Sequence, residues 1–307
     1  MTSDPVLAAR SVSFAYDGHP AVSEIDLEIV AGSSTGVVGE SGSGKSTLAR
    51  LLVGWLQPDS GSVTVAGKPW AGVRRGDVER RRVQMVFQDP YTALNPRLEV
   101  RAAVAEVIRV WSRATRQEAL AAADNLLASV GLSRIEMARR PRRLSGGQCQ
   151  RVVIARALAC DPDVLIADEP TSSLDASVQA QILDLLLRLQ AERGMALVTI
   201  SHDLSVIRSV AEFTLVMYGG RVVERGPTAR LFEEPHHPYT RILRDSMPGV
   251  PPGMTPTVND VPSTAACVFA ARCPRVSAVC VAETPPVASE VARSASCHHP
   301  LGGLDPG

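Results

Sequence analysis

The spacing of apolar residues changes several times along the chain. VLAARSVSFAYDG (6–18) alternates apolar and polar positions and turns at Asp17–Gly18, which predicts a strand and hairpin. AVSEIDLEIVAGSSTGVVG (21–39) predicts two more strands, the second ending at Gly39. A Gly-rich turn follows, then STLARLLVGWL with apolar residues at helical spacing. GSVTVAGKPW predicts another hairpin and RRVQMVFQ another strand. From Pro96 to about Arg143 the pattern is Ala-rich and helical, with Gly131 placed to end a helix.

Strands then alternate with helices again. QRVVIARALA predicts a helix, DVLIAD a buried strand and VQAQILDLLLRLQAERG a helix. ALVTIS predicts a strand, DLSVIRSVA a helix and FTLVMYGGRVVERG a hairpin. Such alternation implies an α/β fold with a largely parallel sheet, interrupted by an inserted helical block. At Pro248 the chain becomes Pro-rich and poor in charge, which predicts a linker; four of the six cysteines lie beyond it.

Composition narrows the classes. With 307 residues and 45% apolar side chains the chain can bury a large core, in two domains or one domain with an appendage. This excludes whole-chain disorder and fibrous repeats. The 32 basic and 32 acidic residues cancel, so there is no general attraction to nucleic acid. Only Lys45 and Lys68 are lysines, so clusters of Arg carry little information. We read RRGDVERRR and ARRPRR as solvated faces or subunit contacts. The chain has no run of about 18 apolar residues and no signal-peptide pattern at its start, so we expect a soluble, cytosolic protein.

Two segments carry phosphate chemistry. GESGSGKST (39–47) fits G-x-x-x-x-G-K-[ST] between a strand and a helix. Gly39, Glu40, Ser41, Gly42, Ser43 and Gly44 form a loop whose amides can face an anion. Lys45 supplies a charge for the outer phosphates, Ser46 a hydroxyl for Mg²⁺, and Thr47 closes the motif. In DVLIADEPT (163–171) a buried strand ends in Asp168 and Glu169. Asp168 can hold Mg²⁺ through a water, and Glu169 can act as a general base.

Between them lies LSGGQCQR (144–151). Together these motifs, in this order, resemble the nucleotide-binding subunit of an ABC transporter. The resemblance covers residues 6 to about 247. It implies a P-loop, RecA-like core with a mixed sheet over 1–235, a helical subdomain inserted at about 90–150, and a Cys-containing extension over 236–307. It further implies two ATPase subunits, identical or homologous, that sandwich ATP. Ser145, Gly146, Gly147 and Gln148 of one would face the phosphate loop of the other. Tyr16 in FAYDG would stack on adenine, Gln88 in VFQDP would sense Mg²⁺ and the attacking water, and Asp175 in SSLDAS would communicate across the dimer. His202 in TISHD would bond the γ-phosphate. Cys149 stands where Arg or Lys is usual, and we expect it to alter interface polarity, although Cys149 and Cys160 also read as small buried residues of the signature helix.

QDPYTALNPRLEV (88–100) and EEPHHPYTRILRDSMP (233–248) resemble the oligopeptide/dipeptide importer subfamily. That implies an ATPase on the cytoplasmic side of the membrane, with two permeases and an extracytoplasmic solute-binding protein as partners and no nucleic acid. Nickel or glutathione importers share these features. An ABC ATPase of DNA repair or translation is the rival from another class. It fits less well, because only 100 residues separate Lys45 from Ser145. Cys267, Cys273, Cys280 and Cys297 in a reducing compartment point to a metal centre, with His298 and His299 as substitute ligands. Four thiolates can hold [4Fe–4S] or zinc; resemblance to some peptide-importer ATPases favours the cluster.

Overall fold

A parallel sheet organises the molecule, and the side chains of its strands sort into two cores by period two. The computed structural model describes residues 4–302 except 75, 252, 263, 291 and 292. Its strands are β1 (Leu7–Tyr16), β2 (His19–Ile29), β3 (Ser34–Val38), β4 (Ser60–Val65), β5 (Lys68–Pro69) and β6 (Val83–Val86). They continue with β7 (Val164–Asp168), β8 (Ala196–Ser201), β9 (Phe213–Tyr218), β10 (Arg221–Pro227), β11 (Val287–Glu290) and β12 (Arg293–Ser296). An antiparallel sheet has the order β2-β1-β4-β5. The main sheet has the order β11-β12-β10-β9-β3-β8-β7-β6, parallel from β9 to β6.

Strands β3, β7 and β8 are buried along their whole length, which explains their uninterrupted apolar runs. In β7, Leu165 and Ala167 enter a core shared with the helical block. Val164 and Ile166 enter a core shared with the antiparallel sheet and the helix Lys45–Leu52. Register pairs Ile166 with Val198 and Met85 with Ile166. The carboxyl ends of β3, β6, β7 and β8 therefore line up along one edge, where open α/β sheets bind ligands.

The inserted block is helical as expected: Val100–Trp111, Arg116–Ser129 and Arg134–Met137. Ala119, Ala123 and Leu127 recur every four residues and are fully buried. Thr115 with Glu118 and Ser133 with Glu136 form reciprocal capping boxes that start two of these helices. Gly131 sits just past its helix with φ of 84°, as its position predicted.

Three features differ from the sequence reading. The segment after Pro248 is not a free linker. Met254 donates its amide to Asp245, Thr257 donates its amide to the Arg272 carbonyl, and Asn259 donates to the carbonyls of Ala270 and Cys273. Strands β11 and β12 were not foreseen. Ser and Ala dominate β12, and Val287 is the single β-branched residue of β11, so the strand signature is weak, yet β12 pairs with β10 and extends the main sheet. The first Arg run is partly structural. Arg80 lies over the Trp70 ring at 4.9 Å and donates to the Gly54 and Val73 carbonyls; residue 75 of that run lies outside the described residues.

Candidate functional site

Each element of the sheet edge delivers one group to a single cleft of about 740 Å³. β3 ends at Val38 and passes into the loop 39–44, which opens the helix Lys45–Leu52. Gly44 has φ of 97°, and a Cβ there would sit 2.3 Å from the Ala21 carbonyl oxygen, so only glycine fits. Lys45 is buried, and its ammonium donates to the carbonyls of Gly39 at 2.7 Å and Glu40 at 2.8 Å. Burial lowers its pKa, while Glu169, Asp168 and Glu40 oppose that by favouring the charge.

Asp168 ends β7 and is 8% exposed. Burial is the main cause that raises its pKa; the Ser46 hydroxyl, which donates to its Oδ1 at 3.3 Å, pulls the other way. Glu169 follows with φ of 47°, a conformation that costs a non-glycine residue about 1–3 kcal/mol and is characteristic of functional sites. Its amide is held by the Ile200 carbonyl of β8 at 2.9 Å. The carboxylate is gripped from both sides. Gln88, just past β6, donates to Oε2 at 3.3 Å, and His202, just past β8, meets Oε1 through Nδ1 at 3.1 Å. His202 is 57% exposed, at the open mouth of the cleft. Tyr16 closes one end, edge-on to Phe14 at 4.9 Å and presented to solvent.

The cleft thus gathers Tyr16, Glu40, Ser41, Gly42, Gly44, Lys45, Ser46, Thr47, Gln88, Glu169 and His202. Gly39 and Ser43 lie beneath the loop, where Ser43 is buried and a Cβ on Gly39 would strike the Met217 carbonyl. Hard oxygen donors on Ser46 and Asp168, with the Gln88 amide nearby, form a donor set that suits Mg²⁺.

Ser145, Gly146, Gly147, Gln148 and Asp175 are not in this cleft. Ser145 caps the helix Gly146–Leu158 in a capping box with Gln148. Asp175 caps the helix Ala176–Arg193, accepting from the amides of Ser177 and Val178. The Ser177 hydroxyl and the Val178 amide hold its carboxyl below the usual range. The two helix starts pack together: a Cβ on Gly147 would meet Val178 Cγ1 at 2.5 Å.

The cysteine expectations need correction. Cys149 is 0% exposed, with Sγ against the Pro141 carbonyl at 3.4 Å, so it packs in the helical core and does not alter an interface. Burial pushes both Cys149 and Cys160 up to about 11. Among the described residues no group of three or more His, Cys, Asp or Glu side chains is arranged to hold a metal ion. Cys267, Cys273, Cys280 and Cys297 lie in one region as free thiols. Burial pushes Cys267 and Cys273 up and takes Cys297 up to about 12. His298 and His299 are engaged with the Glu283 carbonyl and the Ser277 hydroxyl. An iron–sulfur cluster or zinc at these cysteines is therefore unsupported.

The sequence reading missed two residues that reach the phosphate loop. The Tyr239 hydroxyl accepts from the Glu40 amide at 2.8 Å, and the Arg272 guanidinium donates to the Glu40 carboxylate at 2.6 Å. Arg272 is one of 30 arginines and sits 232 positions from its partner, so no local pattern marks it.

Known proteins share this arrangement. Residues 22–172 match the family described as ABC transporter, and 223–280 match the oligopeptide/dipeptide transporter C-terminal region. The di/tripeptide transport ATP-binding protein DppF of Pseudomonas aeruginosa is 40% identical, over 96% of this chain and 98% of that one. The oligopeptide transport ATP-binding protein OppF of Escherichia coli is 39% identical, over 90% and 87%. Among solved structures, cbiO1 of Clostridium perfringens, part of an ABC transporter complex, superposes with a TM-score of 0.69 at 32% identity, covering 76% of this chain and 92% of that one. A dimeric ATP-binding cassette in a post-hydrolysis state with ADP and Pi gives 0.65 at 28%, covering 72% and 98%. With these motifs in one cleft and these likenesses over most of its length, the chain belongs to the ABC transporter family as an ATP-binding subunit.

Proposed function

We propose that this chain hydrolyses ATP to power import of di- or oligopeptides through a membrane transporter. The observation that carries this reading is the carboxylate of Glu169, held between Gln88 and His202 in the cleft that also holds Lys45. The likeness over most of the chain to relatives named for di/tripeptide and oligopeptide transport supports peptide cargo over nickel or glutathione.

In this reading the amides of 40–46 and the Lys45 ammonium take the phosphates, Lys45 giving up the Gly39 and Glu40 carbonyls for phosphate oxygens. Ser46, Gln88 and Asp168 would hold Mg²⁺, which supplies charge neutralisation at the outer phosphates. Glu169 accepts the proton of the attacking water, and Gln88 and His202 fix its orientation. Tyr16 stacks on the adenine. Ser145, Gly146, Gly147 and Gln148 stand outside their own cleft, which fits a head-to-tail pair in which each subunit closes its partner's site. Asp175, tied to the same helix pair, relays that contact.

We assign 1–235 to the ATPase domain with its helical insertion at about 90–150, and 236–307 to the extension, whose Tyr239 and Arg272 meet the phosphate loop. No helix among the described residues is long and apolar enough to cross a membrane. The membrane contact falls to a groove between the core and the helical block, lined by Trp55, Phe87, Val107 and Trp111. There Trp55, 55% exposed, stacks on Phe87 at 5.1 Å. Two permeases, reached from the cytoplasmic face, and an extracytoplasmic solute-binding protein complete the importer.

The four-cysteine centre stays outside this reading; iron and sulfide in equal amounts in anaerobically purified protein would restore it. The test of the function is uptake of a labelled dipeptide by cells whose own copy carries Glu169→Gln. Uptake should fall to background, and unchanged uptake would overturn peptide import.

A further inference from the structure

The phosphate loop is held partly by residues that lie beyond the ATPase domain. Glu40 is engaged at three points. Lys45 takes its carbonyl, Tyr239 takes its amide and Arg272 takes its carboxylate. Tyr239 and Arg272 both belong to the extension. They are set by an aromatic cluster in which Tyr218 of β9 packs against Tyr239 at 4.7 Å and against the buried Phe269 at 5.0 Å. The Arg272 guanidinium lies over the Tyr218 ring at 6.0 Å. Its backbone is pinned by Thr257, and both neighbours of its short turn are pinned by Asn259.

Charge in the cleft makes this contact matter. Glu40, Asp168 and Glu169 all act on Lys45, so three carboxylates surround one ammonium where a polyanion must bind. Asp168 faces the cation that accompanies ATP, and Glu169 is needed as a base. Glu40 has neither role, and its charge repels the triphosphate unless the protein cancels it.

We propose that Arg272 is a positioning residue of the nucleotide site, cancelling and orienting the Glu40 carboxylate so that ATP affinity depends on the docked extension. This rests on the assignment of 39–47 as the phosphate loop. The pair is partly exposed, so the effect is a modest one on binding and leaves the chemical step alone.

The test measures ATP Kd by a fluorescent analogue, together with KM and kcat, on full-length protein. Arg272→Met, which keeps an unbranched stem and removes the guanidinium from Glu40 and from the Tyr218 ring, should raise Kd and KM about two- to fivefold with kcat within about twofold. Arg272→Lys should recover most of the loss. Adding Glu40→Gln to Arg272→Met should return KM to near the wild-type value, because the repelling charge is gone; a purely structural role gives no such rescue. Glu40→Gln alone should lower KM, because Arg272 then stands uncompensated beside the triphosphate, and it decides the matter if Arg272→Met does not fold. An unchanged KM in Arg272→Met, no rescue in the double variant, or an unchanged or raised KM in Glu40→Gln would each overturn the proposal. Lys45→Ala serves as the control. If it binds ATP like wild type, the loop assignment itself fails; if it does not bind and Arg272→Met behaves as wild type, only the role of Arg272 fails.

Discussion

His202 Nδ1 lies 3.1 Å from Glu169 Oε1, although 33 residues separate them in sequence. Parallel pairing of β7 with β8 brings them together, since Asp168 is in register with Ile200 and each side chain leaves its strand one or two residues later. The pair makes a carboxylate with a fixed direction at the end of a strained turn. Glu169→Gln should keep ATP binding and lower turnover by about 10²- to 10⁴-fold, with an ATP-dependent dimer seen by gel filtration. Full turnover in that variant would remove Glu169 as the base.

Lys45 is the only lysine in the cleft, and its ammonium donates to two loop carbonyls. Lys45→Ala should weaken ATP at least about a hundredfold, the scale of one or two charge-assisted hydrogen bonds. Titration with a fluorescent nucleotide checks this.

Gly147 has no room for a methyl group, because Val178 Cγ1 would lie 2.5 Å from it. Gly147→Ala should destabilise the protein by about 1–3 kcal/mol in denaturant unfolding. Val178→Ala in the same chain should recover roughly half of that, as expected for directly coupled neighbours. Additive losses would mean that the two helix starts are not packed as described.

His237 is 1% exposed, caps its helix by accepting from the Tyr239 amide, and is pushed by burial down to about 3. The unfolded chain binds this proton near pH 6.5 and the folded chain does not, so stability falls as pH drops below about 6.5 and continues to fall toward 3. Between pH 7 and pH 5 this one residue should cost about 2 kcal/mol. His237→Asn, which can still cap, should flatten that slope. An equal slope in wild type and variant would show that another group causes the acid loss.

Trp55 is exposed beside Phe87 and does not line the catalytic cleft. Trp55→Glu should leave the ATPase of the isolated protein unchanged. It should reduce the permease that co-purifies by about tenfold, as for a buried aromatic anchor. Undiminished co-purification would move the membrane contact elsewhere.

Much of this was legible in the chain itself. The phosphate loop is local, and its glycines, lysine and hydroxyl must be contiguous because one turn and one helix start supply them all. Strand and helix periods in the core are equally local, and β7 and β8 read as buried because both faces are covered. Capping boxes at Thr115, Ser133 and Ser145 were written three residues at a time. Only tertiary structure could decide which strand ends share an edge, and so that Gln88, Glu169 and His202 touch. It alone packed the Pro-rich segment and added the Ser- and Ala-filled β12 to the main sheet. It alone set Arg272 on Glu40 across 232 residues. Contacts of that range arise from how the elements pack in space, which no short window of residue types encodes.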